Sequence, residues 1–140
     1  MPHISVIIPV YNAGNYIVDT LNSVLQQTLK DIEVIVVNDG SNDQSLAECY
    51  RLQEIDKRII IINQDNQGVS KARNVGKQNA TGDYIIFIDA DDELDCRMLE
   101  ILYTQARKTD SDISVCGVDR IFEKKQEEKK KYHCNYEEIT

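Results

Sequence analysis

Short runs of Ile and Val alternate along this chain with segments whose apolar residues recur at helical spacing. Ile4-Ser5-Val6-Ile7-Ile8-Pro9, Glu33-Val34-Ile35-Val36-Val37-Asn38, Ile59-Ile60-Ile61-Ile62 and Tyr84-Ile85-Ile86-Phe87-Ile88 read as strands covered on both faces. Ile113-Ser114-Val115-Cys116 reads as a candidate fifth. Between them, Ile17, Leu21, Val24 and Leu25 share one helical face, as do Leu94, Met98, Ile101 and Leu102 further on. The stretch from Val69 to Asn79 predicts a helix of small residues, with Val69, Ala72, Val75 and Gly76 on its apolar side.

Strand–helix alternation predicts an α/β fold, a mainly parallel sheet flanked by helices. Right-handed crossovers would bring the C-terminal ends of the strands to one edge, where ligands of such sheets bind. From about Glu123 the pattern changes to mixed charge without an apolar face, through Lys131, and predicts a solvated loop or frayed helix, with a binding tail as the lesser alternative.

Composition narrows the function. The chain has 140 residues, the length of one domain, and a formal net charge of −8 from 16 basic and 24 acidic residues. That balance argues against sequence-independent nucleic-acid binding, which relies on cations displacing phosphate counterions. A single phosphate-bearing ligand remains compatible, since a divalent metal can bridge two anionic partners. No apolar run reaches the roughly 18 residues of a membrane span, and the N-terminus lacks a secretion signal. The cysteines at 49, 96, 116 and 134 have neither zinc-ligand nor disulfide-framework spacing, so reduced thiols in a cytoplasmic protein are expected.

The chemistry is sought after each strand. Pro9-Val10-Tyr11-Asn12-Ala13-Gly14 follows the first, with Gly14 read as permitting a tight turn and Tyr11 as able to stack on a flat ring. Asp39, at the end of the second strand, could accept hydrogen bonds from a ligand, while Ser41 or Asp43 caps the next helix. Gly68 opens a helix with Ser70 in its first turn and Arg73 one turn on, a pattern suited to anions. Neither a phosphate loop of the Gly-x-x-x-x-Gly-Lys kind nor Gly-x-Gly-x-x-Gly is present, which removes the main support for an ATPase or a dinucleotide dehydrogenase.

The strongest signal is Asp89-Ala90-Asp91-Asp92-Glu93, directly after the fourth apolar run. Carboxylates so close repel, and oxygen ligands select a hard cation such as Mn²⁺ or Mg²⁺. The plain alternative is an acidic turn in which Asp92 caps a helix beginning near Leu94. An EF-hand loop is excluded because Leu94 occupies the glycine position. A phosphatase of the haloacid dehalogenase type, with Asp89 as nucleophile, lacks the Thr or Val expected where Glu93 stands. A nucleotide-sugar site is the third reading.

Taken together, Val6-Ile7-Ile8-Pro9-Val10-Tyr11-Asn12, Val37-Asn38-Asp39-Gly40-Ser41, Asn66-Gln67-Gly68-Val69-Ser70-Lys71-Ala72-Arg73-Asn74 and Ile88-Asp89-Ala90-Asp91-Asp92 resemble the family 2 glycosyltransferases. The resemblance covers roughly residues 4 to 107. It implies a Rossmann-like GT-A fold and transfer of a sugar from a nucleotide-sugar donor, usually a UDP-sugar, to an acceptor hydroxyl. By similarity, Pro9 and Tyr11 would line the base pocket, Asp39 would bind the uracil, and Gly68 and Arg73 would border the uridine and diphosphate. Asp89, with Ala90 beside it, would face the ribose or metal side, and Asp91 would ligate Mn²⁺ or Mg²⁺. The catalytic base of inverting members lies well beyond the metal motif; nothing here matches that segment, and Glu137 and Glu138 stand in a poor context. Residues 1–117 are therefore expected to form the donor-binding domain, and 118–140 a charged tail that begins a missing acceptor-binding half. The resemblance further implies a carbohydrate or lipid-linked acceptor and peripheral association of the full-length protein with the cytoplasmic membrane face. A non-catalytic nucleotide-binding module and, behind it, the phosphatase remain as alternatives.

Overall fold

The computed structural model describes residues 1–120. The charged stretch from Glu123, Cys134, Glu137 and Glu138 lie outside them. The elements run β1 (Ile4–Val10), α1 (Ile17–Leu25), β2 (Ile32–Asp39), α2 (Ser45–Ile55), β3 (Ile59–Gln64), α3 (Val69–Asn79), β4 (Tyr84–Phe87) and α4 (Met98–Thr109). The sheet order is β3-β2-β1-β4, and every pairing is parallel. After β1 the chain steps outward to β2 and β3, then returns to lay β4 on the other side of β1. That reversal makes a switch point between β1 and its two neighbours.

The reversal also explains the two layers. Right-handed crossovers in opposite directions place their helices on opposite faces. Ile4, Val6, Ile8 and Val10 of β1 and Val34 and Val36 of β2 pack with α1, Leu52 of α2 and Leu99 of α4. The alternate residues Ile7, Ile35 and Val37 pack with Ala72 of α3. All of β1 and nearly all of β2 is buried. At roughly 1.5–3 kcal/mol per fully buried Ile, Leu or Val, these two strands dominate the hydrophobic stabilisation.

The flanking strands depart from the expectation of cover on both faces. β3 and β4 are the edges, and Ile60, Ile85 and Phe87 are 39–44% exposed. Ile113-Ser114-Val115-Cys116 forms no strand; Ile113 and Val115 are exposed. An apolar run becomes a strand only where a sheet edge accepts its backbone. The last helix starts at Met98 with Arg97 as its N-cap, not near Leu94 with Asp92 as cap. Its buried residues are Leu99 and Ala106, while Ile101 and Leu102 are half-buried. In α3, Ala72 and Gly76 are buried but Val69 is 50% exposed.

Candidate functional site

A cleft of about 490 Å³ opens at the C-terminal edge of the sheet, lined by residues that follow β1, β2, β3 and β4. Pro9, Tyr11, Asp39, Gly68, Asp89, Ala90 and Asp91 all line it. Arg73 does not, but its guanidinium makes an ion pair with Asp89 Oδ1 at 3.0 Å. Val10, Asn12, Ala13, Asn66 and Val69, which the sequence places in the same segments without a role of their own, complete the wall together with Tyr16, which lies outside those segments.

The loop after β1 is tied to the loop after β2. Backbone amides of Asn12, Ala13 and Gly14 donate to Ser41 Oγ (3.0 Å), Ser45 Oγ (2.8 Å) and Asp43 Oδ2 (3.0 Å). Asn42 N donates back to Asn12 Oδ1 at 2.9 Å. The residue in the left-handed region is Asn12, at φ 49°, and not Gly14; asparagine tolerates that conformation better than most side chains. Desolvation pushes the Asp43 carboxyl up, but bonds from Ser45 and the Gly14 amide outweigh it and hold it below its ordinary value.

Asp39 is only 3% exposed. Its Oδ1 accepts from Gln64 Nε2 and Gln67 N, both at 2.8 Å, and its Oδ2 accepts from Gly68 N at 3.0 Å. Parallel pairing of β2 with β3 sets Asp39 level with Gln64, which brings the carboxylate to the loop that enters α3. Gly68 takes φ 94° there, in the region glycine adopts without strain. Desolvation raises the Asp39 carboxyl, and these three bonds outweigh it, so the group is held low and ionised. A carboxylate offers about four lone-pair directions, so room remains for one further donor.

The acidic cluster is different. Asp89, Asp91 and Asp92 are exposed, and their carboxylate oxygens lie within 4.8 Å of one another. Asp92 is pushed up, first by desolvation and then by the charges of Asp89 and Asp91. Three carboxylate oxygen donors at this separation fit a hard divalent cation. Behind them a second groove, about 450 Å³, runs between α3 and β4 with Ser70, Arg73, Asn74, Lys77, Ile85 and Phe87 along it. Arg73 Nε is buried with no hydrogen-bond partner.

A family model described as glycosyl transferase family 2 matches residues 5–139. The glycosyltransferase GlyA of Streptococcus pneumoniae serotype 4 is 46% identical over 112 residues, 80% of this chain and 16% of that protein. S. aureus TarS in complex with UDP-GlcNAc superposes with a TM-score of 0.73 at 29% identity, over 86% of this chain and 37% of that one. The mannosyltransferase PcManGT from Pyrobaculum calidifontis, in complex with GDP-Man and Mn²⁺, does so with a TM-score of 0.64 at 27% identity, over 69% and 29%. The chain spans 16–38% of the length of the first curated relatives it matches. Among the described residues, no helix is long and apolar enough to cross a membrane.

Proposed function

Because this chain belongs to glycosyl transferase family 2 and has the GT-A fold, we propose that it is the donor-binding part of an inverting, metal-dependent glycosyltransferase that uses a UDP-sugar. The observation that carries the reading is one cleft holding two kinds of carboxylate, the buried, hydrogen-bonded Asp39 and the exposed Asp89 and Asp91, with Asp92 beside them. TarS, bound to UDP-GlcNAc, and PcManGT, bound to GDP-Man and Mn²⁺, support it as similar proteins.

Asp39 accepts an N–H from the uracil at its remaining lone pair, fixed in direction by Gln64, Gln67 and Gly68. Tyr11, 53% exposed in the cleft, offers its ring to the base beside Pro9. Asp91 and Asp89 hold Mn²⁺ or Mg²⁺, which when bound neutralises charge growing on the departing diphosphate. Arg73 fixes one oxygen of Asp89 and keeps a spare Nε donor. Asp89 and Ala90 border the ribose. The acceptor hydroxyl attacks in line, which inverts the anomeric carbon, and its proton goes to a base beyond residue 140. Residues 1–117 are the donor-binding domain, and 118–140 lead into an acceptor-binding half. The acceptor is a carbohydrate or lipid-linked hydroxyl, in polysaccharide or glycolipid synthesis at the cytoplasmic membrane face, the setting the family resemblance implies.

Calorimetric titration of UDP into the chain, with Mn²⁺ and then with chelator, tests this. Metal-dependent binding of UDP over other nucleoside diphosphates is expected. A folded chain that ignores both nucleotide and metal would sink the proposal.

A further inference from the structure

The nine residues from Asp89 to Arg97 contain no helix or strand, yet the backbone beneath the acidic side chains is fastened to one side of α1. Thr20 Oγ1 donates to Ala90 O at 2.8 Å, the carbonyl between Asp89 and Asp91. Leu94 N donates to Ser23 Oγ at 3.1 Å. Gln27 Nε2 donates to Asp95 O at 2.6 Å, and Gln27 Oε1 accepts from Leu99 N at 3.0 Å. Thr28 N adds a bond to Cys96 O at 2.8 Å.

Thr20 and Ser23 lie three residues apart on α1, and Gln27 stands two residues past its end, four after Ser23. Ile17, Leu21 and Val24 bury the apolar part of the same helix. Thr20 is 1% exposed and Gln27 fully buried. Buried polar groups are tolerable only when bonded. Gln27 meets that condition with two donated bonds, to Ser23 O and Asp95 O, and one accepted bond. The accepted bond satisfies a free amide in the first turn of α4, whose own N-cap residue makes no side-chain cap.

From this arrangement we infer that the polar stripe Thr20-Ser23-Gln27 is a positioning device for the acidic cluster. It holds the peptide plane that joins Ala90 to Asp91, and the backbone from Leu94 to Asp95 that follows, so that the carboxylates of Asp89 and Asp91 converge, although the side chains themselves stay in solvent. Like charges without such a hold separate, and a cation would then have to gather them at a cost in chain entropy. The inference rests on the donor-site reading above and assigns α1 a part in metal affinity that none of its residues performs by ligation.

The test pairs two substitutions at Thr20 with one at Gln27, measured with Mn²⁺ and UDP as probes. Thr20→Val keeps the shape and removes the bond to Ala90 O; Thr20→Ser keeps the hydroxyl. Mn²⁺-dependent UDP affinity is expected to fall about fivefold in the Val variant, the worth of one neutral hydrogen bond, and to return to within about twofold in the Ser variant. In Gln27→Leu, hydrogen exchange of the Leu94 and Leu99 amides should quicken while that of α2 stays unchanged. Equal affinity in the Val variant and the parent overturns the inference, as does a Ser variant as weak as Val or unaltered exchange in Gln27→Leu. A parent chain that binds UDP with no response to Mn²⁺ overturns the metal part of the donor-site reading and this inference with it.

Discussion

Asp39 and Asp89 both stand at the C-terminal edge of one sheet, and both line one cleft, but the protein treats their charges in opposite ways. Asp39 is buried and takes three hydrogen bonds from its own chain. The Asp89 side chain is 57% exposed, shares one ion pair with Arg73, and has Asp91 and Asp92 as near neighbours. On the first side the carboxylate itself is immobilised by backbone amides. On the second the backbone is immobilised, by α1 and by Gln27 just past its end, and the carboxylates are left with repulsion to relieve. A group whose bonds are nearly complete selects a ligand by its last free lone pair, whereas a group with excess charge awaits a cation.

The comparison breaks most sharply at Asp91. Asp91→Asn removes charge without volume, so the fold should survive while metal-dependent UDP binding falls by more than the roughly 100-fold that outer-shell changes reach at most. Calorimetry with Mn²⁺ measures it, and a variant that binds as tightly as the parent removes the metal from Asp91. Asp39→Ala should act differently and damage the fold as well as the ligand. It strips a charged acceptor from Gln64, Gln67 and Gly68, a loss of about 1.5–3 kcal/mol by hydrogen bonding to a charged group. A lower urea midpoint, together with a reduced preference for UDP over other nucleoside diphosphates, is the expected pair of results.

Acid separates the two sides more gently. Asp39, Asp43 and Glu33 are held low because hydrogen bonds outweigh desolvation, and Asp56 chiefly because of its bonds from Arg58. A folded pKa below the unfolded one gives stability that is present above the unfolded value and lost as pH falls through the folded value. Asp92 has the opposite sign, since its folded pKa is raised and its ionised form opposes folding. The urea midpoint should hold steady from neutral pH to about 5 and decline below about 4, the ordinary carboxylate range. A midpoint that instead rises on acidification would mean that repulsion in the acidic cluster outweighs all four stabilised carboxyls. Cys49 adds nothing here, because burial and then the charge of Glu48 push its thiol up to about 12.

Most of the fold was legible because its two central strands are short Ile/Val runs that match buried parallel strands in length and composition. Ile113-Ser114-Val115-Cys116 has the same look and forms no strand although β3 and β4 leave edges open; Ile113 and Val115 are exposed, and propensity without a surface to pack on does not make a strand. The spacing of Leu94 and Met98 resembles one helical face, but the bond that Leu94 N donates to Ser23 and the bond that Gln27 donates to Asp95 O hold that stretch as a loop, so α4 starts later. In the cleft, the conspicuous residues Tyr11, Asp39, Gly68 and Asp91 could be named in advance. Tyr16 could not, because nothing local marks a residue that the fold merely brings alongside, and the segments that hold Asn12 and Asn66 do not by themselves give those side chains a role.

Local order along the chain determined which residue types follow each strand, because hydrophobic period and turn chemistry act over a few neighbouring positions. It therefore determined a parallel sheet with carboxylates at one edge. Which of those charges is compensated was decided only by tertiary structure. Asp39 is satisfied by an amide 29 residues away, and the acidic loop is held by a hydroxyl 70 residues away. Bonds of that span exist once the sheet has closed the distance, and electrostatic character depends on distance and burial more than on identity.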